Sequence, residues 1–286
     1  EVRSWLTGNR LVSIPFATLC DPLIKTPYEM KRLLESAIGL SKEKKIAYIE
    51  IKGYLSRGLI QNNCLSRSDF FINHYLLLEK KPEELQKTFH LSVRRRIKRA
   101  LESKLVIISG CTESHLHQFY RLYIHTRKRL ALPPQPFRFF KNLWDIFSPS
   151  QHMLLLLAEL KGKIIGGMIV LKFKEKVVVE YLASDIAFRN ISPDHFLYWE
   201  AIKMAHKEGY RIFNFGRTSL LNTGLITFKE RWGTARLWLP QFYYPCSQGK
   251  TKDEQSLRYK IVQRVCSKAP AFALPSIGKF CYRHLG

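Results

Sequence analysis

Arg217 closes the run Phe213-Asn214-Phe215-Gly216-Arg217, a short aromatic strand signal that ends on a glycine. A charged residue at the carboxyl end of a strand in an α/β sheet more often faces a ligand crevice than the core. Its planar, two-pronged guanidinium suits a phosphate or a carboxylate. The plainer role is an ion pair with Asp185 or Glu180. Those two acids flank Tyr181 at the end of another strand signal, residues 177–183. Either carboxylate can accept a proton, directly or through water. Asp185 can instead cap a turn with Ser184. His195 and Tyr198 share one face of a helix opening near Pro193 and can line the same crevice. With Phe196 and Trp199 beside it, His195 reads more simply as a packed residue. The densest cationic run is Arg94, Arg95, Arg96, Lys98 and Arg99. On a helix it leaves Val93, Ile97, Ala100 and Leu101 inward, and its cations either hold phosphate groups or form a solvated face. No Ser-His-Asp or Cys-His constellation is evident, and His115, His117, His125 and His152 have no metal-like spacing.

The whole chain shares the positive bias. Its 286 residues carry 47 Lys and Arg against 23 Asp and Glu, a formal charge of +24. Such an excess implies a polyanionic partner: nucleic acid, an acidic glycan, a phosphate-rich lipid intermediate or an anionic membrane face. Hydrophobic residues at 46% exclude a disordered chain. The longest apolar run, Met153 to Ala158, is a buried-strand length and far short of a membrane span. Six scattered cysteines (20, 64, 111, 246, 266 and 281) form no zinc spacing and read as reduced, mostly buried thiols of a cytoplasmic protein. The chain opens at Glu1 in mid-domain style, so the expectation is that an N-terminal segment is missing.

The elements that must hold these residues follow from period and punctuation. Thr26, Pro27 and Glu29 set a capping box for a helix through Met30, Leu33, Leu34, Ala37 and Ile38, with Gly39 placed to end it. Strands are expected at 11–16, 46–51 and 70–78, with a polar loop over 53–69. A helix opening at Pro82 is expected to continue through the arginine run. A strand at 105–109 and helices at 113–130 and 137–147 come next. Strands at 152–160 and 163–172 pair through a turn at Lys161-Gly162, and 177–183 adds a third. A helix over 194–208, a strand at 211–215, a short helix at 227–232 and a last strand at 235–244 complete the order. This is a mixed α/β sheet with crossover helices. The first 78 residues repeat the end of that order, strand, helix, strand, strand. Two related units are therefore expected, 1–80 and 81–245, the first shortened at its front, with a basic tail over 246–286. The tail holds eight Lys and Arg against two acids. It places Ile261, Val262, Val265 and Cys266 on one helical face, with Arg258, Lys260 and Arg264 around it. It is either a packed tail, folded back at Pro270 and Pro275, or a basic amphipathic anchor on anionic lipid.

Several segments together resemble the Fem-type branch of the GNAT acyltransferase superfamily, and in particular FemAB-related proteins that carry a BioF2-like acetyltransferase domain. They are Ser92–Ile107, Phe119–Phe140, Leu154–Phe173, Tyr181–Arg217 and Thr227–Gly233, with Ser13–Leu23 fitting as well. The resemblance implies paired GNAT-like domains of α/β class and transfer of an acyl or aminoacyl group to an amine of a cell-envelope precursor, at the cytoplasmic face. It implies no tightly bound cofactor and no metal. The donor is aminoacyl-tRNA, as in Fem-type peptidoglycan enzymes, or acyl-CoA, as in an N-acetyltransferase of polysaccharide synthesis. A third reading is a non-catalytic RNA- or lipid-binding module on this scaffold.

The segment Phe228-Lys229-Glu230-Arg231-Trp232-Gly233 is similar to a Fem-type motif in which a lysine supports the transferred carbonyl. That implies a catalytic role for Lys229, with Arg217 and Asp185. Glu180, Tyr181, His195, Tyr198 and Arg231 are then substrate-binding candidates, and Arg94 to Arg99 the anion patch. Acyl transfer needs the amine deprotonated, the oxyanion stabilised and both substrates aligned. Without a nucleophile constellation, direct attack is expected. One departure from the pattern stands out. CoA-binding relatives grip pyrophosphate on a glycine-rich loop, whereas Arg189-Asn190-Ile191-Ser192-Pro193-Asp194 has no glycine, and Pro193 removes an N–H.

Overall fold

The structure is a computed structural model that describes residues 1–5, 8–60, 64–246 and 257–285. In chain order come β1 (Arg10–Val12), α1 (Pro27–Glu43), β2 (Tyr48–Lys52), β3 (Ser66–Ser68) and β4 (Phe71–Leu77), then α2 (Pro82–Thr88), α3 (Leu91–Glu102) and β5 (Val106–Gly110). The helices α4 (Glu113–Arg129) and α5 (Phe137–Phe147) lead into the antiparallel strands β6 (Met153–Leu160), β7 (Lys163–Phe173) and β8 (Lys176–Ser184). After these lie α6 (Pro193–Lys207), β9 (Ile212–Ser219), α7 (Thr223–Glu230), β10 (Ala235–Trp238), β11 (Gln241–Tyr244), α8 (Leu257–Lys268) and α9 (Leu274–Leu285).

Local chemistry sets several boundaries. Thr26 accepts the Glu29 N–H while the Glu29 carboxylate takes the Thr26 N–H, so the expected capping box forms. Helix α1 then runs through Gly39 to Glu43, because burial of Met30 and Leu34 against the small sheet outweighs one glycine's propensity. The helix expected from Pro82 through the arginines breaks at Phe89-His90. Phe89 turns into the core beside Trp199 and Trp232, and the His90 ring accepts the Ser92 N–H to start α3 afresh. In α3, Val93, Ile97 and Ala100 are buried as expected, but Leu101 is exposed.

Seven strands form one sheet in the order β10-β4-β9-β8-β7-β6-β5, and four form a second in the order β1-β2-β11-β3. Helices α3 and α6 cover one face of the large sheet, and α4 with α5 the other, while α1 packs on the small sheet. The boundaries expected at residues 80 and 245 do not coincide with the division between sheets. Strand β4 lies in the large sheet and β11 in the small one. The last expected strand, 235–244, is in fact two. Leu239 donates its N–H to Phe71 on the large sheet, and the Pro240 carbonyl accepts from Gly53 beside the small one. A proline has no N–H to continue a ladder, so the chain changes sheets there.

The tail folds back: α8 and α9 pack on α4, as Pro270 ends one helix and Pro275 opens the next. A β-carbon on Gly278 would stand 2.0 Å from the Pro134 carbonyl oxygen, so only glycine permits this docking. The tail expectation also covered residues 247–256, which lie outside the described residues. Of the cysteines, Cys64, Cys111 and Cys246 are exposed and only Cys266 is buried, contrary to the expectation of mostly buried thiols. Among the described residues no helix is long and apolar enough to cross a membrane, and no group of His, Cys, Asp or Glu is placed to hold a metal ion.

Candidate active site

Strands β8 and β9 are parallel and pair over only three positions, Lys176 with Ile212 to Val178 with Asn214. Beyond them β8 stays with β7 and β9 stays with β4, so the two part as a wedge. Gly216 makes the parting possible. Its φ is +78°, a left-handed value, and an added β-carbon would meet the Val179 oxygen at 3.0 Å. The Asn214 side chain accepts the Gly216 N–H at 2.7 Å, replacing a cross-strand partner.

A bulge sits on the opposite arm of the wedge. Ile169 faces Tyr181 while Val170 faces Val179, leaving Glu180 as the extra residue of β8. Bulges re-aim side chains, and here both Glu180 and Tyr181 reach a cavity of about 350 Å³ between the two sheets. Arg217 enters from β9, its guanidinium 4.2 Å over the Phe71 ring. The facing wall comes from the small sheet, with Glu50, Lys52 and Gln241, and Tyr282 of α9 closes one side. The Glu180 carboxyl opens to this cavity but is otherwise surrounded by protein. Burial raises its pKa to about 7, against the opposing pull of a hydrogen bond from Thr18 at 3.4 Å and the charges of Arg217 and Lys229.

Lys229 is almost fully buried and lines neither this cavity nor the next. Its ammonium donates to the carbonyls of Gly216 at 2.7 Å and Arg217 at 3.4 Å. Burial lowers its pKa to about 7, although the Glu180 charge favours the ammonium. The geometry is that of a strut holding the wedge strand in place. Asp185 lies outside the cavity. It accepts the Ala187 N–H at 3.0 Å as the cap of a 3₁₀ turn and pairs with Lys163 at 3.4 Å. Tyr198 lies in the core, stacked on Phe215. Tyr181 packs edge-on against Phe140, and burial raises its pKa.

A second cavity, about 670 Å³, opens at the N-terminus of α6. Arg96, Arg129, Arg189 and Arg231 line it, with His195 and Asp194. Thus Arg231 and Arg96, far apart in sequence, line one cavity. His195 stacks on Trp232, and burial, then the Arg96 charge, lowers its pKa to about 4, so it stays neutral. Ser192 is left-handed at φ +60°, and its carbonyl accepts the N–H groups of His195 and Phe196. Asp194 is half-buried at the helix start, with one carboxyl oxygen buried and without a hydrogen-bond partner, and desolvation raises its pKa. Cationic side chains, not a bare backbone cradle, therefore supply the positive charge. The rest of the arginine run disperses: Arg99 donates to the Asn190 carbonyl at 3.3 Å, Lys98 pairs with Glu102 at 3.8 Å, and Arg94 and Arg95 are exposed.

Glu50 and Lys52 were missed from sequence. The signal was present in Tyr48-Ile49-Glu50-Ile51-Lys52, where charges alternate with isoleucines along a buried strand. Lys52 donates to the carbonyls of Ile14 and Ala17, both at 2.9 Å, fixing the Phe16–Thr18 rim.

Two mixed sheets, a parallel pair split by a bulge and a glycine, and cavities on either side of the split define a GNAT-type acyltransferase. Residues 87–230 match the Acetyltransferase (GNAT) domain family, and the chain belongs to that family. Among solved structures it resembles FemX, at 16% identity and a TM-score of 0.67 over 87% of this chain and 85% of that one. It also resembles the C-terminal domain of a putative lysylphosphatidylglycerol synthetase from Agrobacterium fabrum, at 12% identity and a TM-score of 0.55 over 78% and 74%. A tandem GNAT protein from the clavulanic acid biosynthesis pathway matches at 12% identity and a TM-score of 0.51 over 78% and 72%. No curated protein matches in sequence. The paired-domain α/β architecture and the acyltransferase class expected from the motifs therefore hold.

Proposed function

We propose that the chain moves an acyl or aminoacyl group onto an amine of a cell-envelope precursor held between the two sheets. The observation that carries this reading is the position of Glu180, the extra residue of the β8 bulge, in the inter-sheet cavity that Arg217 also lines; burial there raises its carboxyl pKa to about 7. The amine nitrogen attacks the carbonyl carbon, and a new C–N bond forms. Glu180 takes the proton that the nitrogen sheds. Arg217 stabilises the oxyanion, and Lys229 keeps Arg217 in position through the two carbonyls. The donor's C–O or C–S bond then breaks, and the proton passes from Glu180 to the departing oxygen or sulfur.

The second cavity suits the donor's phosphates. Its four arginines favour a polyanion. The Pro193 start and the inward Asp194 disfavour a pyrophosphate held on backbone amides. Aminoacyl-tRNA fits these features better than acyl-CoA. The acyl-CoA reading is supported by membership of the GNAT family. Titration of the protein with acetyl-CoA and with aminoacyl-tRNA separates them. We expect acetyl-CoA to bind more weakly than about 10 μM; a submicromolar constant that Arg189→Glu abolishes would overturn the donor assignment. A lipid-linked or nucleotide-linked amine is the expected acceptor, at the cytoplasmic face of the envelope.

A further inference from the structure

The outward stripes of α8 and α9 carry apolar groups that stay exposed among the described residues. On α8 the exposed apolar and basic residues described are Lys260, Ile261, Arg264, Val265 and Lys268, spaced one and four apart along one side. On α9 they are Ser276, Lys279, Phe280 and Arg283, spaced three and four apart. Such spacings place residues on a single helical face. Phe272, in the connection, is 85% exposed. A residue remote in sequence joins them: Trp5, 79% exposed, meets the His284 ring edge-on at 5.4 Å, and Phe280 meets the same ring at 5.2 Å.

These stripes hold five cations, Lys260, Arg264, Lys268, Lys279 and Arg283, and residues 257–286 contain no Asp or Glu. Exposed aromatics set among lysine and arginine, with no acid between them, match the headgroup zone of an anionic bilayer. There rings enter the acyl boundary and cations meet lipid phosphates. An apolar partner protein would not require five charges of one sign, and a second copy of this surface would be repelled by them.

We infer that the outer faces of α8 and α9, with Trp5, dock the protein on an anionic membrane. The position adds a consequence. Tyr282 of α9 lines the inter-sheet cavity, and Phe16 at its rim packs on Tyr282 at 5.6 Å. One helix therefore borders both the membrane surface and the candidate amine site. Calling that cavity an amine site rests on the acyl-transfer reading, whereas docking does not.

Co-sedimentation of the full chain with phosphatidylcholine vesicles, with and without phosphatidylglycerol, tests this. Binding is expected only to the anionic vesicles, and it is expected to be lost in about 0.5 M salt, where screening acts within a few ångströms. Each basic residue at the surface strengthens binding about fivefold. Replacing all five by Gln therefore lowers it about a hundredfold if only three reach the headgroups. Trp5→Ser with Phe272→Ser and Phe280→Ser also weakens it. Because these side chains are exposed, both variants keep the wild-type Tm and transfer to a soluble amine. Failure to sediment, equal binding to neutral vesicles, wild-type binding by both variants, or a dimer that the variants abolish would each overturn docking. Loss of transfer to the soluble amine in every protein would instead refute the acyl-transfer reading.

Discussion

Replacing Glu180 by Gln keeps the shape of the side chain and removes its proton chemistry. A general base contributes about 10²–10⁴-fold, so kcat/KM for amine acylation is expected to fall by that factor. The wild-type profile has an acidic limb near pH 7, because burial raises the Glu180 carboxyl from 4.5 to about 7. The variant loses this limb. Stability moves the other way. Between about 4.5 and 7 the folded chain retains a proton that the unfolded chain has released. The stability that this carboxyl contributes therefore declines as pH rises through that window and levels off above it. Gln carries no charge to bury, so at pH 8 the variant is expected to be more stable by about 1–3 kcal/mol, the lower end reflecting relaxation around the charge. At pH 4 the difference vanishes. Initial-rate profiles and urea melts at both pH values measure the two effects. A Gln variant that keeps its activity and the limb near pH 7 would refute the assignment of the base, and equal stability at pH 8 would refute the buried carboxylate.

Arg217→Ala is expected to lower kcat by about 10²–10³ while costing no more than about 1 kcal/mol, since the side chain is exposed and lies over the Phe71 ring. Single-turnover kinetics beside a thermal melt reads both. Lys229→Met removes the donors to the Gly216 and Arg217 carbonyls and is expected to cost about 1–3 kcal/mol at pH 10. The folded Lys229 releases its proton near 7 rather than 10.5, so wild-type stability from this group rises across that interval and is lost as pH falls through 7. The cost of the Met variant therefore shrinks toward pH 7, and denaturant melts across pH follow it. Gly278→Ala drives a β-carbon against Pro134, with an expected cost of about 1–3 kcal/mol. Because α9 then lifts Tyr282 from the cavity, KM for the amine should rise as well; unchanged melting would show that the α9 contact is loose.

The order of helices and strands, the family and the acyltransferase class were legible in the sequence. Period, capping and turn chemistry are local, and Thr26, Lys161-Gly162 and Pro193 announce their elements within a few residues. The basic patch was legible only as composition. Which of its arginines faces a cavity depended on the packing of α3 against α6, and Arg96 alone of the five lines one. Other features had no local signature. The bulge at Glu180 exists because β7 and β8 pair with one residue to spare, and register is a property of two strands together. The hand-over at Leu239-Pro240 puts β11 beside β2, nearly two hundred residues earlier in the chain, and so builds the wall of Glu50 and Gln241. Lys229, singled out by motif, proved buried under β9, because helix α7 returns beneath the strand it follows. Sequence thus determined which groups were available and which local shapes they adopt. Only the tertiary structure decided which of them share a cavity, since burial, and with it the shifted protonation of Glu180, is created by residues far apart in the chain.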